Sequence, residues 1–300
     1  MQKRGKVFFG SAVALVTPFL NGEIDYESLG ALIDYQINGE TDAIVVLGTT
    51  GEAPTISEEE RNQVIEFSSK RIKGRVPLIV GTGTNSTDSS VRYTKSAEEC
   101  GANAVLCVTP YYNKPSALGM AMHYEKIAKN TSLPVILYNV PSRTGVSLNI
   151  ETLSRLHEIP NVVGIKEASG NVSFVEEIIS NFKNRFDIYT GNDDLTYATL
   201  SLGGQGVISV VANLFPFKMH NLCKGFSGGS VEKSHKTQLE LLPFIREMFY
   251  ETNPVPIKRA LFEKGIIKSD EVRLPLQKSK RAKEIKSIID GFFSKNEEGK

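Results

Sequence analysis

An amine stands in this chain where an ammonium group is out of place. Lys166 ends the run Asn161-Val162-Val163-Gly164-Ile165-Lys166, which reads as a short buried strand, and Glu167-Ala168-Ser169-Gly170 reads as the turn that ends it. At the mouth of an apolar strand a lysine loses hydration, and desolvation disfavours its charged form. The neutral amine is a nucleophile that forms Schiff bases with carbonyl substrates. The plainer alternative is that the chain surfaces here and the amine is solvated. The segment alone does not separate the two.

Other reactive side chains follow other apolar runs. Gly48-Thr49-Thr50-Gly51-Glu52 combines two glycines, which permit a tight turn, with backbone N–H groups able to form an anion nest and hydroxyls able to relay protons. Thr109-Pro110-Tyr111-Tyr112-Asn113 places paired tyrosines after a further run. Tyr138-Asn139-Val140-Pro141 leads into Ser142-Arg143-Thr144-Gly145; a phenol donates and accepts a proton, and Arg143 can clamp a carboxylate bidentately. Thr190-Gly191-Asn192-Asp193 and Ile208-Ser209 close the series. Each motif alone is weak, since packing tyrosines and a surface arginine would look the same. Together they suit amine catalysis on a carbonyl acid.

Competing chemistries find little support. Gly81-Thr82-Gly83-Thr84-Asn85 has Ser86 where a dinucleotide fingerprint needs its third glycine, and no Walker-type element is present. His123, His157, His220 and His235 are scattered without ligand spacing, so no catalytic metal and no cofactor is expected. No Ser-His-Asp or Cys-His arrangement points to a hydrolase.

The elements that must hold these groups alternate. Strand candidates are Ser11–Val16, Ala43–Leu47, Pro77–Val80, Ala104–Val108, Pro134–Tyr138, Val162–Ile165, Asp187–Tyr189 and Gly206–Val210, spaced by roughly 20 to 35 residues, as strand–helix units require. Near-continuous apolar character suits a parallel sheet covered on both faces. Ser57-Glu58-Glu59-Glu60 is a capping box, Asp25, Ser86 and Asn171 are N-cap candidates, and Gly39 and Gly101 suit helix ends. The spacing favours an α/β fold, a (β/α)8 TIM barrel over residues 1–225, against the alternative of a doubly wound open sheet. A helical C-terminal region follows over residues 226–300, with Leu239, Leu242, Ile245 and Phe249 on one face, and Ile285, Ile288, Ile289 and Phe292 on another. The basic run Lys278, Lys280, Arg281, Lys283 and Lys286 reads as a solvated helix face.

Composition sets the outer limits. The chain has 300 residues, 40% hydrophobic and 23% charged, with net charge +1, so no bulk bias favours nucleic acid or an acidic membrane. Met1-Gln2-Lys3-Arg4-Gly5-Lys6 is basic, but only a short apolar stretch follows before Thr17-Pro18, unlike a signal peptide. No run reaches transmembrane length. Cys100, Cys107 and Cys223 are odd in number and widely spaced, which argues against a disulfide framework. A cytoplasmic enzyme is expected.

With these motifs the chain resembles the dihydrodipicolinate synthase (4-hydroxy-tetrahydrodipicolinate synthase) family, within the pyruvate-dependent Schiff-base lyase and aldolase superfamily. The landmarks are Gly48–Glu52, Thr109–Asn113, Tyr138–Gly145, Gly164–Glu167, Gly206–Ser209 and Asn253-Pro254-Val255-Pro256-Ile257-Lys258. The resemblance implies that Lys166 forms the Schiff base with pyruvate and that Tyr138 transfers protons, assisted by Thr49 and Tyr112. It implies that Thr50 binds the pyruvate carboxylate, that Ile208 and Gly191 line the pocket, and that Arg143 holds the carboxylate of L-aspartate 4-semialdehyde. It further implies a homotetramer built from two tight dimers, with Tyr112 reaching into a neighbouring subunit's site.

The main alternatives are the sister N-acetylneuraminate and keto-deoxy sugar acid lyases. The neuraminate lyases typically carry Ser before Thr in the glycine-rich turn, where this chain has Thr49 and Thr50, and they lack the arginine matching Arg143. A barrel that binds without catalysis is a further alternative, but such a protein should show a broken set of residues. Some members of the family are inhibited by lysine in a cleft between subunits. Tyr111 and Asn85 match that cleft, whereas Ser89 replaces its glutamate and Glu58 and Arg61 occupy positions that often hold histidine. Weak or absent inhibition is therefore expected.

Overall fold

The apolar runs pair in parallel and close on themselves. In the computed structural model, which describes residues 7–182 and 185–297, the strands are β1 (Gly10–Ala14), a small hairpin β2 (Phe19–Leu20) and β3 (Glu23–Ile24), β4 (Ala43–Val46), β5 (Leu78–Gly81), β6 (Ala104–Val108), β7 (Val135–Asn139), β8 (Val162–Glu167), β9 (Asp187–Thr190) and β10 (Gly206–Ser209). Every strand except the β2–β3 pair belongs to one closed barrel in the order β1-β10-β9-β8-β7-β6-β5-β4. The open-sheet alternative is thereby excluded. Residues 1–6, the basic start, lie outside the described residues.

Helices alternate with the strands: α1 (Tyr26–Asn38), α2 (Glu58–Ile72), α3 (Thr87–Glu99), α4 (Ala117–Ala128), the single turn α5 (Pro141–Thr144), α6 (Ile150–Leu156), α7 (Val172–Phe182), α8 (Thr196–Ser201) and α9 (Pro216–Ser227). Their starts follow local chemistry. Asp25 and Ser86 accept from backbone N–H groups of α1 and α3, and Ser57 and Glu60 complete the capping box of α2. Asn171 Oδ1 accepts from Phe174 N–H at 3.2 Å ahead of α7. Gly39 caps α1, and Gly101, at φ +92°, follows the cap of α3 in a backbone shape that glycine adopts without strain.

Two apolar layers result. Alternate strand residues such as Ala12, Val45, Ile79, Leu106, Ile136 and Ile208 fill the barrel, while their neighbours pack outward against the helices. Tyr189 joins the inner layer, stacks on Phe8 at 4.2 Å between centroids and donates its hydroxyl to Phe8 O at 2.8 Å.

The chain past β10 differs in detail from the sequence reading. Helix α9 still packs on β1, and α10 (Val231–Met248), α11 (Val255–Glu263) and α12 (Ala282–Glu297) continue beyond it. The buried stripe of α10 is Leu241, Phe244, Ile245 and Met248; Leu239 and Phe249, expected on the apolar face, are exposed. Two overlapping 3.6-residue patterns run through this helix, and the one with closer spacing is buried. The basic run is laced with carboxylates: Lys278 pairs with Asp270 at 2.7 Å, Arg281 with Glu247 at 2.7 Å, and Lys286 lies 3.9 Å from Glu263. No helix among the described residues is long and apolar enough to cross a membrane.

Candidate active site

A bulge decides which way Lys166 points. Val135 pairs with Val162, but Ile136 pairs with Gly164, so the register skips Val163. Strand side chains alternate, and one extra residue turns every later side chain to the other face. With Val162 and Ile165 in the outer layer, Lys166 turns inward beside Tyr138, its register partner on β7. Both are nearly buried, at 6% and 7% exposure, and the Lys166 amine lies 4.3 Å from the Tyr138 ring centroid. No ion pair or hydrogen bond holds that amine among the described residues.

Residues around the pair keep the space. A side chain at Gly191 would put its Cβ 2.7 Å from Lys166 Cε and 2.6 Å from Ala168 Cβ, so only glycine fits beside the lysine stem. Ile208 is fully buried on β10. Asp193, also fully buried, accepts from Ser209 Oγ, from Val210 N–H at 3.0 Å and from Val211 N–H at 3.3 Å. Burial pushes its carboxyl up to about 6, against the pull of those donors and of the Lys166 charge. One register step beyond Tyr138 and Lys166, Asn139 Nδ2 donates to Glu167 Oε2 at 2.7 Å on the outer face. That bond ties together the two strand ends carrying the amine and the phenol. Burial raises the Glu167 carboxyl, while Ser169 and Asn139 partly offset the shift.

The cavity above the barrel, about 470 Å³, is lined by Thr49, Tyr111, Tyr138, Arg143 and Asn253 among others. A larger groove of about 770 Å³ lies between α4 and α6 and contains none of the predicted site residues. The glycine-rich turn is tighter than expected: Gly51 and Glu52 N–H donate back to Gly48 and Thr49, each at 3.1 Å, which confines the nest to Thr49 and Thr50. Thr50 is buried and accepts from Asn253 Nδ2 at 2.9 Å. Arg143, at the cavity edge, donates to Asn253 O at 3.2 Å. Tyr112 stands apart from the others, 89% exposed with φ +71°, and is not among the cavity-lining residues. Among the described residues no three His, Cys, Asp or Glu side chains gather as a metal site.

Residues 7–290 match the dihydrodipicolinate synthetase family. The chain belongs to that family. Among relatives, the 4-hydroxy-tetrahydrodipicolinate synthase of Thermotoga neapolitana is 45% identical over 274 residues, covering 90% of this chain and 93% of the relative. The enzyme of the same name from a Thermoanaerobacter species is 44% identical over 289 residues, 95% and 97% of the two chains. The solved dihydrodipicolinate synthase of Thermotoga maritima superposes with a TM-score of 0.92 at 44% identity, covering 95% of this chain and 98% of that one.

Membership in the dihydrodipicolinate synthetase family leaves one feature to be explained from the side chains. A second buried lysine, Lys258 of α11, is fully enclosed and paired with Glu52 Oε1 at 2.5 Å. Buried lysines that only support structure carry such partners. Lys166 has no such partner among the described residues. The sequence reading passed over Asn253, Lys258, Glu167 and Asp193 as contributors. Asn253 and Lys258 stood inside a recognised motif, but their partners Thr50 and Glu52 lie some two hundred residues away and meet them only in the fold.

Proposed function

We propose that this protein condenses pyruvate with L-aspartate 4-semialdehyde to give 4-hydroxy-tetrahydrodipicolinate, using Lys166 as the nucleophile. The observation that carries the reading is a buried amine that makes no ion pair or hydrogen bond among the described residues and lies 4.3 Å from the ring centroid of Tyr138. Lys166 Nζ adds to the ketone carbon of pyruvate, and Tyr138 shuttles the proton that allows water to leave. The imine draws electrons, so the pyruvate methyl loses a proton and becomes a nucleophilic enamine carbon. That carbon adds to the aldehyde, and the substrate's own amine displaces Lys166 as the ring closes.

Two carboxylates enter, and two anion-binding devices are available. Thr50 receives the pyruvate carboxylate, with Ile208 and Gly191 shaping the floor, and Arg143 receives that of the semialdehyde. Thr49 sits between the cavity and the turn as a relay hydroxyl. The exposure of Tyr112 supports a relay completed across a subunit boundary and hence a homotetramer of paired dimers.

Purified protein should consume pyruvate only when the semialdehyde is also present. Arg143→Ala should raise KM for the semialdehyde about 10- to 100-fold while pyruvate is still trapped as an imine. Pyruvate released from N-acetylneuraminate or a keto-deoxy sugar acid, with no semialdehyde-dependent consumption, would assign the site to a sister lyase.

Feedback by lysine is expected to be weak. Glu58, at one of the positions matching that cleft, pairs with Arg92 at 3.1 Å. Arg61 is buried, donates to Gly81 O at 2.5 Å and stacks on the Tyr93 ring at 4.3 Å, so it adds a fixed cation and no carboxylate at that position. Initial rates should be unchanged by sub-millimolar lysine; strong inhibition there would remove this expectation.

A further inference from the structure

Thr50 and Arg143 share a neighbour. Asn253, at the entry to α11, gives its side-chain amide to Thr50 Oγ1 and its backbone carbonyl to Arg143 Nη2. The direction of the first bond has chemical consequences. A hydroxyl that accepts from an amide N–H keeps its own proton free to donate, and a carboxylate ligand can only accept. Turned over, the amide would take the Thr50 proton and leave lone pairs facing the carboxylate.

Among the described residues the side chain of Asn253 has this one partner, and its other end is left unpaired. The residue is 7% exposed, and its Oδ1 is sealed from solvent with no hydrogen-bond partner among the described residues. Buried polar atoms are almost always partnered, and one left alone is costly. That cost is accounted for if Asn253 is needed as a donor to Thr50.

We infer that Asn253 is a positioning residue coupling the two carboxylate sites: its side chain makes Thr50 a hydrogen-bond donor toward pyruvate, and its backbone steadies Arg143 toward the second substrate. The inference rests on the roles proposed above for Thr50 and Arg143.

Polarity makes the test. Asn253→Asp is nearly isosteric but replaces the donor with acceptors, so Thr50 must donate to Asp and a negative charge sits beside the carboxylate pocket. Asn253→Ala only removes the donor. KM for each substrate, kcat, borohydride trapping of the pyruvate imine and the thermal midpoint would be measured for both variants, for Thr50→Ala and for Thr50→Ala/Asn253→Ala. We expect KM for pyruvate to rise about tenfold in Asn253→Ala and about a hundredfold in Asn253→Asp. In the Thr50→Ala background, removing Asn253 should add little to the pyruvate KM. A purely structural role would lower the thermal midpoint of both variants, Asp at least as much as Ala because it buries a charge, without a selective rise in the pyruvate KM. Asn253→Asp with a pyruvate KM near that of the wild type, or additive effects in the double variant, would overturn the inference while leaving the site assignment standing. Wild-type protein that traps no pyruvate would overturn both.

Discussion

Lys166→Ala should lose imine formation entirely, and turnover should fall by on the order of 10⁴-fold or more, about 5 kcal/mol of transition-state stabilisation. The decisive companion is Lys166→Arg. A guanidinium keeps the positive charge and the long stem but stays protonated, so it cannot add to a ketone. If Lys166 only attracted the anionic substrate, Arg would retain much of the activity. If it is the nucleophile, Arg and Ala are equally inactive, and neither gains mass after pyruvate and borohydride. Tyr138→Phe should behave differently. The imine still forms and can be trapped, but more slowly, with kcat lowered on the order of 10²–10⁴-fold for loss of the proton carrier. Mass spectrometry of the borohydride-treated protein separates these cases, since each adduct sits on one lysine.

The contrast between Lys166 and its surroundings also measures how far the sequence could be read. The eight barrel strands were visible because buried parallel strands are apolar throughout, and their boundaries shift by only one or two residues in the structure. The inward turn of Lys166 was not visible. Simple alternation from Val162 would have sent Lys166 outward, and the bulge at Val163 reverses it. Gly164 is the only local hint, since glycine inside a strand often accompanies a bulge. The β2–β3 hairpin had a readable signal, because Asn21-Gly22, at φ +54° and +86°, is a favoured tight turn, yet its strands are two residues long and carry no periodicity. Tyr112 illustrates a different limit. Its residue type suggests a proton relay, but its place outside the cavity depends on backbone geometry and on neighbours beyond one chain.

Lys258→Met should destabilise the fold by about 3–5 kcal/mol, a fall in thermal midpoint on the order of 10 °C, although Lys258 is not among the residues lining the cavity. Its amine is held by Glu52 at 2.5 Å and by Glu271 O at 2.8 Å, with the Phe19 ring centroid 4.1 Å away. Glu52 closes the glycine-rich turn in a left-handed conformation at φ +54°, and its other oxygen accepts from Arg273 N–H at 2.9 Å. Removing the amine strands a buried carboxylate at the base of Thr49 and Thr50, so the pyruvate KM should rise along with the loss of stability. The double variant Lys258→Met/Glu52→Gln should recover part of the loss, because the strandedness of one charge costs more than the pair contributes. The pH dependence gives an independent check. Burial draws Lys258 down to about 8 despite Glu52, so between that value and its ordinary 10.5 the unfolded chain binds a proton that the folded chain has released. The Lys258 contribution to stability therefore rises with pH across that window. Chemical denaturation at pH 7.5 and 9.5 should show the gap between wild type and Lys258→Met widening. A gap that stays constant over this range would mean that Lys258 stays charged in the folded protein and that its pairing with Glu52 outweighs its burial.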